Sequence, residues 1–224
     1  NPHVFEKISF DTVKDFSPIG KIGDAVLILV ANNNFPGKTV NDMIAISKKD
    51  PQGLSYGTSG AGSSPHIAGE LLKQKTGANL VHIPYKGGGQ AMTDLLGGNI
   101  PLVYTAVAGA NQHIKSGRLT PLAVSSFQRS SSLPDVPTFM ESGIKDFELS
   151  SWVGLLAPAK TPRPVIMRLN QALNEILAST EGKERLNAMG ITATVGSPEK
   201  FSEQIKFDLT RFAAIVKNAN IKAE

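Results

Sequence analysis

The run Tyr56-Gly-Thr-Ser-Gly-Ala-Gly-Ser-Ser-Pro65-His66 joins a pliable backbone to side chains that donate hydrogen bonds, a mixture suited to holding an anion. Gly57, Gly60 and Gly62 allow tight turns and close approach to a ligand. The hydroxyls of Thr58, Ser59, Ser63 and Ser64 add neutral donors. Pro65 suits the first position of a helix and Ser64 its N-cap, so the helix behind the loop would aim unpaired N–H groups and a positive dipole end at the loop. A carboxylate or phosphate is the natural occupant of such a seat. The candidate ligand set is therefore Thr58, Ser59, Gly60, Ala61, Gly62, Ser63 and Ser64, with His66 in the first helical turn. His66 is expected to hydrogen-bond loop backbone and, at a helix N-terminus, to resist protonation. Two further residues join the set. Lys86, ahead of Gly87-Gly-Gly89, offers a cation to a carboxylate, and Thr105 closes a strand with a hydroxyl.

Catalytic readings of the same residues are incomplete. Gly57-Thr-Ser59-Gly-Ala61 misses the second glycine of a nucleophile elbow. Gly60-Ala-Gly62-Ser-Ser-Pro65 misses the last position of a dinucleotide fingerprint, and no phosphate-loop lysine motif occurs, so no nucleotide cofactor is expected. His66 and Glu70 lie one helical turn apart, but no motif supplies the third ligand that a metal would need.

Elements that could position the loop follow from periodicity. Strand-like runs at Leu54–Gly57, Leu80–Ile83, Pro101–Thr105 and Pro121–Ser125 alternate with helix-like runs at Pro65–Lys75, Gln90–Leu96 and Ala110–Lys115. Ile67, Ala68, Leu71 and Leu72 form one apolar face of the first helix, and Gly77 stops it. This alternation implies βαβ crossovers, a parallel sheet and a ligand crevice at the carboxyl ends of the strands. Upstream, Ser17–Ala31 is an extended strand or strand pair, followed by a short helix at Val40–Lys48. Downstream, Ser126–Lys145 is polar and proline-rich and promises few apolar contacts. Phe147–Leu156 is extended and carries Trp152, which is expected to serve packing. Helices follow at Pro164–Ser179, with Val165, Ile166, Leu169, Leu173, Ile176 and Leu177 on one side, at Glu184–Met189, and from Ser197 to about Lys217.

Composition narrows the function. The chain has 224 residues, enough for one large domain or two small ones. A formal charge of +4, with lysines spread out, gives weak attraction for anions and no nucleic-acid arm. The absence of cysteine removes thiol chemistry and disulfides. The longest apolar run, Ala25–Ala31, has the length of a buried strand rather than a membrane span. Asn1-Pro-His-Val-Phe5 has the character of mid-protein text, and the natural N-terminus is expected upstream of it.

A family likeness emerges from several motifs in order. They are Asp15-Phe-Ser-Pro-Ile-Gly20, Leu54 to Glu70 around the glycine loop, and Val81-His-Ile-Pro-Tyr-Lys-Gly-Gly88. Thr93-Asp-Leu-Leu-Gly-Gly98, Ser132-Leu-Pro-Asp-Val-Pro-Thr138 and Trp152-Val-Gly-Leu-Leu-Ala-Pro158 complete the series. Together they resemble the Bug, or TctC-like, extracytoplasmic solute receptors of tripartite tricarboxylate transporters. The resemblance implies an α/β, two-lobed, type II periplasmic-binding-protein-like fold and a non-enzymatic role without cofactor. It further implies a periplasmic protein that captures a small carboxylate for membrane permease subunits. Thr105 stands where the family commonly carries an acidic residue, which points to a di- or tricarboxylate or an aromatic acid rather than an amino acid. Family members begin with βα units that precede Asn1. On that footing residues 25–145 form the complete βαβ lobe, while residues 1–24 and 146–224 form a first lobe truncated at its N-terminus. Self-association would cover the apolar face such a lobe exposes. The alternatives are a cytosolic ligand-sensing regulatory domain and a serine hydrolase using Ser59 and His66.

Overall fold

The computed structural model describes residues 2–5 and 7–222; Asn1, Glu6, Ala223 and Glu224 lie outside the description. In chain order the elements are β1 (Phe16–Asn32), α1 (Val40–Lys49), β2 (Leu54–Thr58), α2 (Ser64–Thr76), β3 (Leu80–Pro84), α3 (Gly88–Gly97), β4 (Leu102–Ala106), α4 (Val107–Lys115) and β5 (Leu119–Val124). There follow β6 (Ser150–Pro158), α5 (Arg163–Ala178), α6 (Thr180–Ala188), β7 (Ile191–Ala193) and α7 (Pro198–Ala219). The chain divides into two compact units, one of Val26–Ser150 and one of Asn1–Ala25 with Ser151–Glu224.

The Val26–Ser150 unit is built on the strand order β3-β2-β4-β1-β5. β2 runs parallel to β3 and β4, as the alternating pattern predicts. β1 enters antiparallel between β4 and β5, so the sheet is mixed rather than wholly parallel. The cause lies in the sequence order: β1 precedes the βαβ series and is inserted into it. Leu27, Ile28, Leu29, Val30 and Ala31 are all at most 1% exposed, as a central strand covered on both faces requires.

Alternation along the strands separates two cores. Ile28, Val30 and Val103 face Ala91, Met92 and Leu95 of α3 and Val107 and Ala110 of α4. On the other face Tyr56 meets Gly69 of α2, while Tyr104 stacks on Phe139, which packs against Phe147. The segment after β5 corrects the expectation of few apolar contacts: Leu133, Val136, Phe139, Ile144 and Phe147 are all buried. These residues are isolated among prolines and polar residues, so no period of 2 or 3.6 betrays them.

In the second unit, β6 and β7 pair with β1, the latter between Gly23 and Ala193 and between Ala25 and Ile191. The three-residue strand β7 lies in a stretch where the sequence pattern predicts nothing. Asn170 of α5 donates to the carbonyls of Ile19 and Gly196 and thereby ties the helix to β1 and to the turn before α7. Ile166, Leu173 and Leu177 are buried, but Val165, Leu169 and Ile176 are exposed, so the expected apolar side of α5 is narrower than its sequence suggests. Trp152 donates its indole N–H to Asp208 at 2.9 Å and meets Phe201 edge-on. No helix among the described residues is long and apolar enough to cross a membrane.

Candidate functional site

The loops that follow β2 and β3, and the direct junction of β4 with α4, lie within the Val26–Ser150 unit. The first two are joined by a hydrogen bond of 3.2 Å from Tyr85 N–H to Thr58 O. A Cβ placed on Gly60 would lie 3.3 Å from Tyr85 O, and Thr105 Oγ1 would lie 3.9 Å from a Cβ on Gly88 and 3.2 Å from one on Gly109. Thr58 to Ser64 and Lys86 therefore sit on adjoining loops, with Thr105 near the end of β4, at the carboxyl edge of the three parallel strands.

Most of the loop's donors are already engaged, which revises the expectation that all four hydroxyls face a ligand. Thr58 is buried; its Oγ1 lies 2.7 Å from His82 Nε2, 3.2 Å from Gly60 O, and accepts Gly60 N–H. Ser63 Oγ donates to Gly60 O at 2.7 Å and accepts His66 N–H. Ser63, not Ser64, is thus the N-cap of α2, one residue earlier than expected, and Pro65 occupies the helix's first turn. The helix extends back because the Ser63 hydroxyl reaches the amide three residues on, whereas that of Ser64 would have to reach one residue further along. Gly62 N–H and Ser63 N–H are also taken, by His66 Nδ1 and Gly60 O.

What remains is a small set. The amides of Ser59 and Ala61 and the Ser59 hydroxyl have no partner among the described residues, and both residues are exposed. The first turn of α2 holds no acidic side chain, so nothing on the helix competes with an anion there. Gly60 and Gly62 hold φ at +132° and +71°, conformations that exclude most other residues. Lys86 is exposed and makes no ion pair among the described residues, while Thr105 is partly buried. Ser63→Ala removes both the cap on α2 and the hydroxyl's bond to Gly60 O, so unfolding in urea is expected to show a loss of about 1–2 kcal/mol.

Beneath the loop lies a polar cluster that the sequence pattern does not reveal. His66 of α2 and His82 of β3 stack with centroids 3.6 Å apart. Glu70, 6% exposed, accepts Tyr56 O–H at 3.0 Å and pairs with Lys73 at 2.9 Å. Burial is the main reason His66 is held below the ordinary imidazole range, with Lys73 assisting and Glu70 opposing. The expected resistance to protonation is present, but desolvation rather than the helix dipole leads it. Burial, then His66 and Lys73, push His82 down to about 3. Burial also raises the Tyr56 hydroxyl far above its usual value. The register Tyr56↔His82 between β2 and β3 brings these groups together, and parallel register is not legible from spacing.

No hydrogen bond joins Ser59 to His66: the ring's Nδ1 takes Gly62 N–H, and its Nε2 faces Glu70 at 4.0 Å. The pairing that a serine hydrolase needs is not made.

This architecture is that of the periplasmic binding proteins. An R. palustris protein solved with adipate superposes with a TM-score of 0.90 at 29% identity, covering 98% of this chain and 74% of the other. The periplasmic binding protein BugD gives a TM-score of 0.87 at 32% identity, with 99% and 75% covered. Among curated relatives, BugT of Bordetella pertussis is 34% identical over 96% of this chain and 66% of its own length. An Agrobacterium vitis protein encoded in the TAR-I ttuE-ttuC' intergenic region is 33% identical, over 96% and 63%. Residues 1–221 match the family described as "Tripartite tricarboxylate transporter family receptor", and the chain belongs to it. It spans about two thirds of the length of these curated relatives.

Proposed function

We propose that this chain is the carboxylate-holding part of a periplasmic solute receptor that delivers a small dicarboxylate to the permease subunits of a tripartite transporter. The observation that carries the reading is the pair of amides at Ser59 and Ala61, without a partner among the described residues, beside the Ser59 hydroxyl on the loop that leads into α2. Such donors neutralise one carboxylate without a buried counter-charge, through charge-assisted hydrogen bonds. Lys86, exposed on the adjoining loop, supplies long-range attraction, and Thr105 offers a hydroxyl in place of a charge. Adipate, the compound found with the similar R. palustris protein, supports the dicarboxylate class. The neutral lining disfavours ligands that carry an amine, since no carboxylate stands at Thr105 to receive it.

The test is titration calorimetry of this chain with unbranched dicarboxylates, adipate included. Ser59→Ala keeps the amide and removes one hydroxyl, so its affinity is expected to fall about tenfold, in keeping with a lost hydrogen bond to a charged group. Unchanged affinity in that variant, or a carboxylate bound elsewhere on the chain, defeats the assignment.

A further inference from the structure

Capture of an anion by Ser59 and Ala61 does not itself call for two stacked imidazoles under the loop. Their hydrogen bonds explain them. His66 accepts Gly62 N–H at Nδ1, 3.0 Å away. His82 Nε2 meets Thr58 Oγ1 at 2.7 Å, and that hydroxyl oxygen accepts Gly60 N–H at 3.2 Å. The rings thus secure alternate amides of the loop, that of Gly62 directly and that of Gly60 through Thr58. The amides that alternate with them, at Ser59 before Gly60 and at Ala61 between the two glycines, are the ones left without a partner among the described residues. We propose that His66 and His82 are a positioning pair for the anion loop, drawing the Gly60 and Gly62 amides inward so that those of Ser59 and Ala61 are left together for a carboxylate. This rests on the carboxylate reading above and deepens it.

The geometry also dictates the protonation state. Gly62 N–H donates to Nδ1, so His66 carries its proton on Nε2, towards Glu70. A second proton on Nδ1 would set donor against donor and expel the Gly62 amide. The groups facing the pair are Glu70 and Lys73 from α2, Tyr56 from β2 and, through Tyr56, Tyr104 from β4. Burial outweighs Glu70 and keeps the His66 midpoint below 6.5. The arrangement is therefore intact at neutral pH and is lost as pH falls through that depressed midpoint.

The experiment uses the ¹⁵N-labelled chain, His66→Asn and His66→Leu, with adipate as the probe. Asn places an acceptor near the position of Nδ1, and Leu fills the space without one. At about pH 7.5 the His66 ring spectrum is expected to show Nδ1 unprotonated. In His66→Leu, Gly62 amide exchange should accelerate by at least about tenfold and adipate affinity should fall by a similar factor. His66→Asn should restore most of both and should lose the acid-side fall in Gly62 protection that the parent shows. A parent His66 protonated at Nδ1, or Gly62 protection unchanged in a folded His66→Leu, overturns the proposal. Should His66→Leu not fold, the parent's ring spectrum and acid titration decide it. Should the parent not bind adipate while Gly62 exchange behaves as stated, the positioning stands and the ligand reading falls.

Discussion

Gly60→Val is expected to leave the protein folded and to weaken dicarboxylate binding by about 100-fold, roughly 2.7 kcal/mol. Gly60 sits at φ +132°, where a β-branched residue carries strain of about 1–3 kcal/mol. Its carbonyl is also the loop's hub, taking Ser63 Oγ at 2.7 Å and Ser63 N–H at 3.3 Å and lying 3.2 Å from Thr58 Oγ1. A new Cβ would further press on Tyr85 O at 3.3 Å. The backbone relieves this by rotating at Gly60, which turns the flanking amides of Ser59 and Ala61 away from a shared target. Each charge-assisted hydrogen bond contributes about 1.5–3 kcal/mol, so losing one or two accounts for the factor. Calorimetry with adipate, alongside circular dichroism to confirm folding, reads the outcome. Affinity within about threefold of the parent would show that these amides do not hold the ligand.

Gly69→Ala is expected to destabilise the Val26–Ser150 unit by about 2 kcal/mol although alanine is the better helix former. The added methyl would overlap the Tyr56 ring, approaching Cζ at 2.5 Å and the hydroxyl oxygen at 2.6 Å. Tyr56 has no exposed surface and is fixed by its bond to Glu70 and by the His82 ring 5.2 Å away. Relief therefore needs α2 to lift from the sheet or the tyrosine to leave Glu70. Overpacking of this kind costs about 1–3 kcal/mol or somewhat more, against roughly 1 kcal/mol gained in helix propensity. The urea midpoint measures it; a midpoint at or above the parent's would mean that the helix adjusts freely.

The contrast between these two glycines shows what a sequence discloses. Gly60 lies in a conspicuous cluster of glycines and hydroxyl-bearing residues, and its role in a turn is legible at once. Gly69 lies mid-helix, where only its contact with a tyrosine thirteen residues earlier explains it. Alternating apolar runs located β2 to β5 and the helices between them within a few residues, because burial of one face leaves a periodic trace. That β1 would enter antiparallel left no such trace, since a strand covered on both faces has the same composition in either direction. At the site, residue types flagged the loop but could not say which donors were spent internally. That depends on Ser63 folding back on Gly60 and on His82 lying across from Tyr56, both consequences of three-dimensional closure.

The distribution of aromatic residues has a practical consequence. Trp152, the sole tryptophan, is anchored to Asp208 in one unit, whereas Tyr56, Tyr85 and Tyr104, all the tyrosines of the chain, belong to the other. Each half thus carries its own intrinsic fluorophore. A single denaturant titration watched at two emission wavelengths can follow both halves without labels, and superimposed or separated curves report whether they melt as one cooperative block or as two.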